Sequence, residues 1–461
     1  MPFFAMFGAL GWSFGGSISY MQVIGFTHSG HSPSQLYGFA CLFVIGFLWA
    51  ALGGAGTTLP AVAGRRRLIA LLPVIGVVFL LWWLQGVAIE PWLRSRGVEL
   101  NWYDTDWLAA LLAMAAAVLI ALLRRRVDDS TGLVLYLAGG WWVGFGVLVL
   151  ALGLRMTPPR GDNWAGCLGM TLGALVYCVR WGLGDVARAT IITGVIGGIG
   201  FASASMLKLV AVTSGYQTNW HSVLEQTTGL FNGVAIAVAM RDLSLRVGPL
   251  DGADGTSRAR SRWAEPVALG FVLLLIPYLN LRKNVADWIR SGAVPELMYG
   301  IPAREWFHLA FLVVAAGLAV LAVRHLRQPL PVVPESPLGR GQALFLVLLS
   351  IMVIGNFERA LVGFADQRLI TEGVIHLNAV LCTTLLLTSQ APALETVSAQ
   401  DAASSPSLRR VVLLGLAAAV VSVVLDWAIV RAIYGDRFAG HAGLHIRFGP
   451  RATVHSSKGA S

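Results

Sequence analysis

The feature that most constrains this chain is a series of apolar runs, each about 20 residues long, that recur along nearly its whole length. A bilayer core offers no hydrogen-bond partners, so each crossing segment must satisfy its own backbone. Helices do this, and the alternating pattern of barrel strands is not seen. Of the 461 residues, 56% are hydrophobic and 13% are charged, whereas a soluble domain has about 25% charged residues. The sequence therefore predicts an all-α polytopic membrane protein.

About thirteen runs have the length of a membrane-spanning helix. The predicted spans are 3–26, 35–62, 68–90, 106–123, 131–154, 163–180, 188–213, 218–240, 263–281, 305–323, 341–358, 369–388 and 409–434.

Several motifs occur twice, in the same order and at similar spacing. Trp92-Leu93-Arg94-Ser95 is followed by Asp106-Trp107, which opens an apolar run. In the second half, Trp288-Ile289-Arg290-Ser291 is followed by Glu305-Trp306, which opens another. Any single match could be chance, but the shared order predicts an internal duplication. Duplicated halves are typical of transporters, in which the site lies between the repeats.

The duplication divides the chain into two six-helix repeats, at 1–186 and 187–390. Each repeat has an even number of helices, so both begin on the same side of the membrane and the repeats are parallel. An Ala-, Ser- and Pro-rich segment at 391–408 is predicted to be a flexible linker. It leads to an additional transmembrane helix at 409–434 and a polar tail at 435–461.

Clusters of arginine predict the orientation. Arg65-Arg66-Arg67, Arg124-Arg125-Arg126 and Arg409-Arg410 all fall on one side if the spans alternate. Basic loops stay in the cytoplasm, so we expect a cytoplasmic N-terminus in a bacterial inner membrane. The net charge of +10 is thereby explained by orientation, and we expect the lipid bilayer, not nucleic acid, as the partner.

Charged groups within membrane helices are costly and mark pathways or paired sites. Span 7 carries Lys208. Span 8 carries His221, Glu225 and Asn232 at spacings that place them on one helical face. The hairpin between these spans is tight, so Lys208 could reach Glu225. A local hydrogen bond between His221 and Glu225 that only stabilises the helix end is the structural alternative.

A second polar group is predicted at the same depth. Glu372 and His376 lie four residues apart in span 12, and Glu358 and Arg359 end span 11. We expect both groups to line one outward-facing cavity that binds substrate or protons. The two histidines and two glutamates would suit zinc, but nothing in the sequence makes their helices face each other. We therefore predict no metal site, and no cofactor.

The architecture resembles the major facilitator superfamily. Members carry a Gly…Asp-Arg-x-Gly-Arg-Arg motif between helices 2 and 3. Here Gly64, Arg65 and Arg66 match it, while Ala61-Val62 replaces the Asp-Arg pair. The long central loop usual in the family is short here, at 181–187. The resemblance implies two parallel six-helix halves and a solute site between them.

These features predict a transporter of a polar or amphipathic small solute, not an enzyme, with a proton carried by Glu225 or Glu372 as the favoured coupling ion. Two other functions stay open. One is a membrane-embedded transferase with an outward-facing site for a glycan or lipid-linked substrate; the other is a non-catalytic scaffold or sensor. A cavity between the halves favours transport, whereas a pocket enclosed within one half favours the enzyme.

Overall fold

The computed structural model describes most of the chain as helix. The described residues are 2–15, 18, 20–98, 100, 102, 105–156, 162–216, 218–246, 263–292, 294–327, 345–346, 348–349, 353, 366–388 and 406–435. About 84% of these residues are helical.

The helices are numbered here in chain order. They are α1 (Pro2–Gly15), α2 (Met21–Phe26), α3 (Ser32–Val62), α4 (Arg65–Ser95), α5 (Trp107–Arg124), α6 (Asp129–Ala151), α7 (Asn163–Arg180), α8 (Gly184–Val212), α9 (Trp220–Ser244), α10 (Ala264–Arg290), α11 (Ala303–Arg327), α12 (Asp366–Thr388) and α13 (Leu408–Tyr434). A short antiparallel hairpin, β1 (Leu297–Met298) and β2 (Ile301–Pro302), precedes α11.

Seven of the described helices are long and apolar enough to cross a membrane, namely α3, α4, α5, α6, α8, α9 and α13. The protein is therefore an all-α integral membrane protein, as its composition predicted. α13 lies where the additional C-terminal span was expected.

The first predicted span is not one helix. We expected a continuous helix over 3–26, but α1 ends at Gly15 and α2 begins at Met21, with Ile18 and Tyr20 outside helical structure. The sequence around the break has two consecutive glycines, and two of the next three residues are serines. Glycine disfavours helix by about 1 kcal/mol relative to alanine, which accounts for the break.

The described chain divides into two compact units. The larger comprises Phe7–Ser214, Leu224–Asp251 and Ser398–Ser461. Its main core joins α3, α8 and α13 through side chains such as Leu42, Phe201 and Val423.

The smaller unit comprises Met1–Met6, Gly215–Val223 and Gly252–Val397. Within it, Trp288 of α10 and Phe311 of α11 belong to a small buried cluster beside the hairpin.

Glycine allows the helices of the larger unit to pack backbone to backbone. On α6 and α7, a Cβ added to Gly169 would collide with the carbonyl oxygen of Gly140, and one added to Gly144 would collide with that of Ala165. On α3 and α8, a Cβ at Gly46 would collide with the carbonyl oxygen of Gly197. Small residues that permit such close approach are a main source of helix association in lipid.

We expect Gly169→Ala to destabilise the protein by about 1–3 kcal/mol, because the added methyl overpacks the α6–α7 contact. Thermal unfolding of purified protein measures this. Gly76→Ala is the matched control, because a Cβ at Gly76 on α4 meets nothing within 4 Å. Equal melting temperatures for the two variants would contradict the close contact.

Arginines gather at one end of the larger unit, called here the basic end and marked by Arg67, Arg124 and Arg188. Arg67 pairs with Asp129 at the start of α6 at 2.5 Å. Arg188 pairs with Asp242 of α9 at 2.6 Å and donates to the carbonyl oxygen of Pro406, just before α13, at 2.6 Å. The ends of several helices are thus fastened together by arginine.

Asp128 caps α6 at the basic end. Its side chain accepts a hydrogen bond from the backbone N–H of Thr131 at 2.9 Å, and its own N–H donates to the Thr131 hydroxyl at 3.0 Å. Arg124 also pairs with this carboxylate. Burial alone would raise the pKa of Asp128, but the hydrogen bonds from Thr131, Ser130 and Arg124 outweigh it and hold the pKa below its ordinary value of 3.8.

We expect Asp128→Ala to cost about 1 kcal/mol at neutral pH, the usual effect of removing an N-cap. Because the folded pKa of Asp128 lies below the unfolded one, its stabilisation is complete above about pH 3.8 and is lost as the pH falls through the folded value. Melting temperatures measured against pH should therefore converge for wild type and variant in acid. Asp185→Ala, in the first turn of α8, serves as the control; a difference constant with pH would contradict this account.

Candidate functional site

An apolar cavity of about 400 Å³ lies inside the larger unit. It is lined by α1, α3, α4, α5, α6 and α7, with one residue from α8. On α7 the lining runs from Cys167 to Cys178, which is about 16 Å at 1.5 Å per residue. The cavity therefore extends along the helices for about half the thickness of a bilayer core.

Small residues create this space. The α5 face toward the cavity carries Ala109, Ala110 and Ala113, and α6 and α7 add Ala138 and Ala174. Larger apolar side chains surround them, among which Trp82 is fixed because its indole N–H donates to the carbonyl oxygen of Ala109 at 2.9 Å.

A carboxylate lies where α5 begins, at the end of the cavity far from the basic end. Asp106 lines the cavity, and the side-chain amide of Asn163, the first residue of α7, donates to its Oδ2 at 2.7 Å. The adjacent Asp162 is fully buried and pairs with Arg155 at 2.7 Å. Asp106 is exposed, so this end of the cavity, called here the mouth, presents a carboxyl oxygen held by a side-chain amide.

The other end of the cavity is closed by an ion-paired cluster. Tyr177 lines the cavity, and its hydroxyl donates to Asp129 at 2.6 Å. Asp129 in turn receives two hydrogen bonds from the Arg67 guanidinium, at 2.5 and 2.8 Å, while Arg67 also donates to the carbonyl oxygen of Trp181 at 3.1 Å. This arrangement joins α4, α6 and α7 at the basic end.

The cavity is suited to binding an amphipathic molecule. Its apolar walls exclude water from an apolar body, and the Asp106 carboxylate can accept hydrogen bonds from, or attract, a polar or positively charged head group. The ionisable groups among the lining residues are Asp106, Tyr177, Cys167 and Cys178.

A second polar group lies beside the broken helix α1–α2. The Tyr20 hydroxyl donates to Glu225 Oε1 of α9 at 3.4 Å, and Lys208 of α8 attracts Glu225 electrostatically. The Tyr20 ring packs edge-on against Trp49 and Phe201 at centroid distances of 5.5 and 5.1 Å. The structure thus brings together two of the residues expected to share a site, Lys208 and Glu225.

The other residues of the predicted site have varied positions. His221 lies one turn before Glu225 on α9 and is half-buried. The Asn232 side-chain oxygen faces Gly197 of α8, as a Cβ on that glycine would lie 3.1 Å from it. Glu372 and half-buried His376 lie on α12, and Glu358 and Arg359 fall outside the described residues. The single cavity shared by both groups stays a prediction.

Sequence reasoning missed the polar groups that line or support the cavity, and it missed Asp426 of α13. Asp426 is 1% exposed, and its partners are the hydroxyls of Ser203 on α8 and Ser422. A signal was present, because Asp426 is the lone acid in the apolar run 411–430.

No group of three or more histidine, cysteine, aspartate or glutamate side chains that could hold a metal ion occurs among the described residues. In the comparisons with known proteins, no family model, curated protein or solved structure matches the chain.

Proposed function

We propose that the protein is a membrane transporter of an amphipathic small solute, and that the apolar cavity of the larger unit is its binding site. The observation that carries the proposal is the cavity itself: about 400 Å³ of apolar space between a carboxyl group at the mouth and an ion-paired cluster at the closed end. The Asp106 carboxylate favours a cationic or hydrogen-bond-donating head group.

One observation favours the membrane-embedded transferase as a second candidate. Every lining residue lies between Phe7 and Val186, hence within the first predicted repeat, and enclosure in one half is the arrangement expected of the enzyme. The chemistry of the lining weighs against it. Tyr177 is hydrogen-bonded to an arginine-paired carboxylate. The lining has no histidine or lysine, which leaves Asp106 as its single candidate general base.

The internal duplication is supported by matching local structure. In both halves the serine of the Trp-Leu/Ile-Arg-Ser motif donates to the carbonyl oxygen of its tryptophan, at 2.7 Å for Ser95 and 3.1 Å for Ser291. A glycine with positive φ ends both helices, two residues after the motif at Gly97 (72°) and one residue after it at Gly292 (73°).

The helices after these loops match as well. The indole N–H of Trp107, at the start of α5, donates back to Leu100 at 3.0 Å. That of Trp306, near the start of α11, donates back to Met298 at 2.9 Å. These hydrogen bonds support the proposed duplication of this segment, from which two parallel six-helix repeats followed by α13 are inferred.

The basic end supports the proposed orientation. Loops rich in arginine stay in the cytoplasm, and the arginines that precede α4, follow α5 and precede α13 lie at this end. We therefore assign the basic end to the cytoplasm of a bacterial inner membrane and the Asp106 mouth to the outer side.

Filling the cavity should reduce solute binding. Ala110→Phe adds an aromatic ring to a half-buried cavity wall, whereas Ala115→Phe on the same helix adds it to an exposed position. In proteoliposomes, we expect uptake of radiolabelled decyltrimethylammonium to fall at least tenfold in Ala110→Phe and to be unchanged in Ala115→Phe. Asp106→Asn should weaken uptake of this cation and should not weaken that of decanesulfonate, which has the same chain and the opposite charge.

Equal uptake by both phenylalanine variants would contradict the cavity as the binding site. No uptake by the wild type above empty liposomes, together with turnover of a lipid-linked donor, would favour the transferase.

Proton coupling is proposed for Glu225, which has Tyr20 and Lys208 beside it. Glu225→Gln keeps the side-chain shape and removes the titratable proton, so we expect uptake to lose its response to an imposed pH gradient while the protein stays folded. The response is measured with a step in external pH. Glu265→Gln on α10 is the control. A normal pH response in Glu225→Gln would contradict the assignment. So would a Glu225→Gln variant that melts at a lower temperature but keeps its pH response.

A further inference from the structure

The most unusual polar group among the described residues is the carboxyl of Asp426. It lies eight residues before Tyr434, the last residue of α13, and so about 12 Å along the axis from that end. The side chain is 1% exposed. α13 packs against α8 and α3 here, so the carboxyl is enclosed by helices within the apolar layer.

Its hydrogen-bond partners are two neutral hydroxyls. Ser203 of α8 lies 3.2 and 3.3 Å from the two carboxyl oxygens, and Ser422, one turn earlier on α13, lies 3.5 Å from Oδ2. No arginine, lysine or histidine of the described chain forms an ion pair with Asp426. Asp162 is an equally buried aspartate of the same unit, but its carboxylate is stabilised by an ion pair with Arg155.

The charged and titratable groups on the surrounding helices are engaged elsewhere or lie further along. α3 has no charged residue; its titratable groups are Tyr37, which donates to the carbonyl oxygen of Met156, and Cys41. On α8, Lys208 attracts Glu225, and Arg188 pairs with Asp242. On α13 itself, Arg431 donates to the carbonyl oxygen of Gly435, Tyr434 donates to that of Leu209, and Arg409 and Arg410 lie at the other end of the helix.

A carboxylate with only hydroxyl partners costs several kcal/mol inside a membrane, whereas the neutral acid does not. The geometry suits both forms. In the protonated form, the carboxyl O–H donates to a serine oxygen. On deprotonation the O–H bond breaks, the electron pair stays on the carboxylate and the proton passes to water. The serine hydroxyl then rotates and donates to the carboxylate. A divalent metal ion takes about six or more oxygen ligands, and the described side chains supply four here.

We propose that Asp426, with Ser203 and Ser422, is a proton-binding site at the interface between α8 and α13. Asp426 and Ser422 belong to the C-terminal helix, outside both predicted repeats, and Ser203 belongs to the second; the site is distinct from the cavity and from Glu225. Taking up or releasing the proton changes the hydrogen bonds that join α13 to α8. The inference rests on the packing of these two helices and does not depend on the transported solute.

Infrared difference spectroscopy of the purified protein tests this directly. On raising the pH, we expect loss of the carbonyl band of a protonated carboxyl and a matching gain of carboxylate absorption. Asp426→Asn should remove this pair of bands. Asp287→Asn, on the exposed side of α10, should retain it.

A second variant keeps the test valid if Asp426→Asn fails to fold. Ser203→Ala removes one hydrogen bond to the carboxyl, so the carbonyl band should shift in frequency without disappearing. Identical difference spectra for wild type, Asp426→Asn and Ser203→Ala would overturn the proposal. A rise in melting temperature with sodium chloride but not with choline chloride, lost in Asp426→Asn, would also overturn it and indicate a metal-ion site.

Discussion

Close backbone contact between helices is the interaction on which the rest of this structure depends. In lipid there is little hydrophobic force between apolar helices, so association relies on tight packing and on hydrogen bonds. The glycines at 140, 144 and 169 bring α6 and α7 together, and Gly46 and Gly197 do the same for α3 and α8. Elsewhere in the same unit, the small alanines of α5 face the cavity.

Polar groups in the larger unit are stabilised in three ways, and each suggests a different role. At the basic end, Arg67 and Asp129 form a bidentate ion pair that joins α4 to α6. At the cavity mouth, the Asp106 carboxyl accepts a hydrogen bond from the neutral amide of Asn163 and lines the cavity. Within the apolar layer, Asp426 has only hydroxyl partners, and a group so placed is stabilised by binding a proton.

The features that depend on period and composition could be predicted from the sequence, namely helical structure, the approximate bounds of several helices and the gathering of arginines at one end. The bounds of α5 and α7 differ from the predicted spans by at most a residue. Lys208 was predicted near Glu225 because a tight hairpin fixes which helices are neighbours. The cavity could not be predicted from the sequence. It exists because small side chains on several helices face one another, and the sequence does not show which helix faces meet. The break before Tyr20 was missed because a hydropathy run does not register glycine's low helix propensity.

The two copies of the repeated sequence motif lie in different surroundings. Trp92 is 57% exposed, whereas its counterpart Trp288 is 6% exposed in the core of the smaller unit. Likewise Asp106, at the cavity mouth, has Glu305 as its sequence counterpart, which is half exposed and pairs with Arg304. On the proposed duplication, each motif keeps a similar helix end while the packing around it differs. A cavity built by the first repeat would then need no twin in the second.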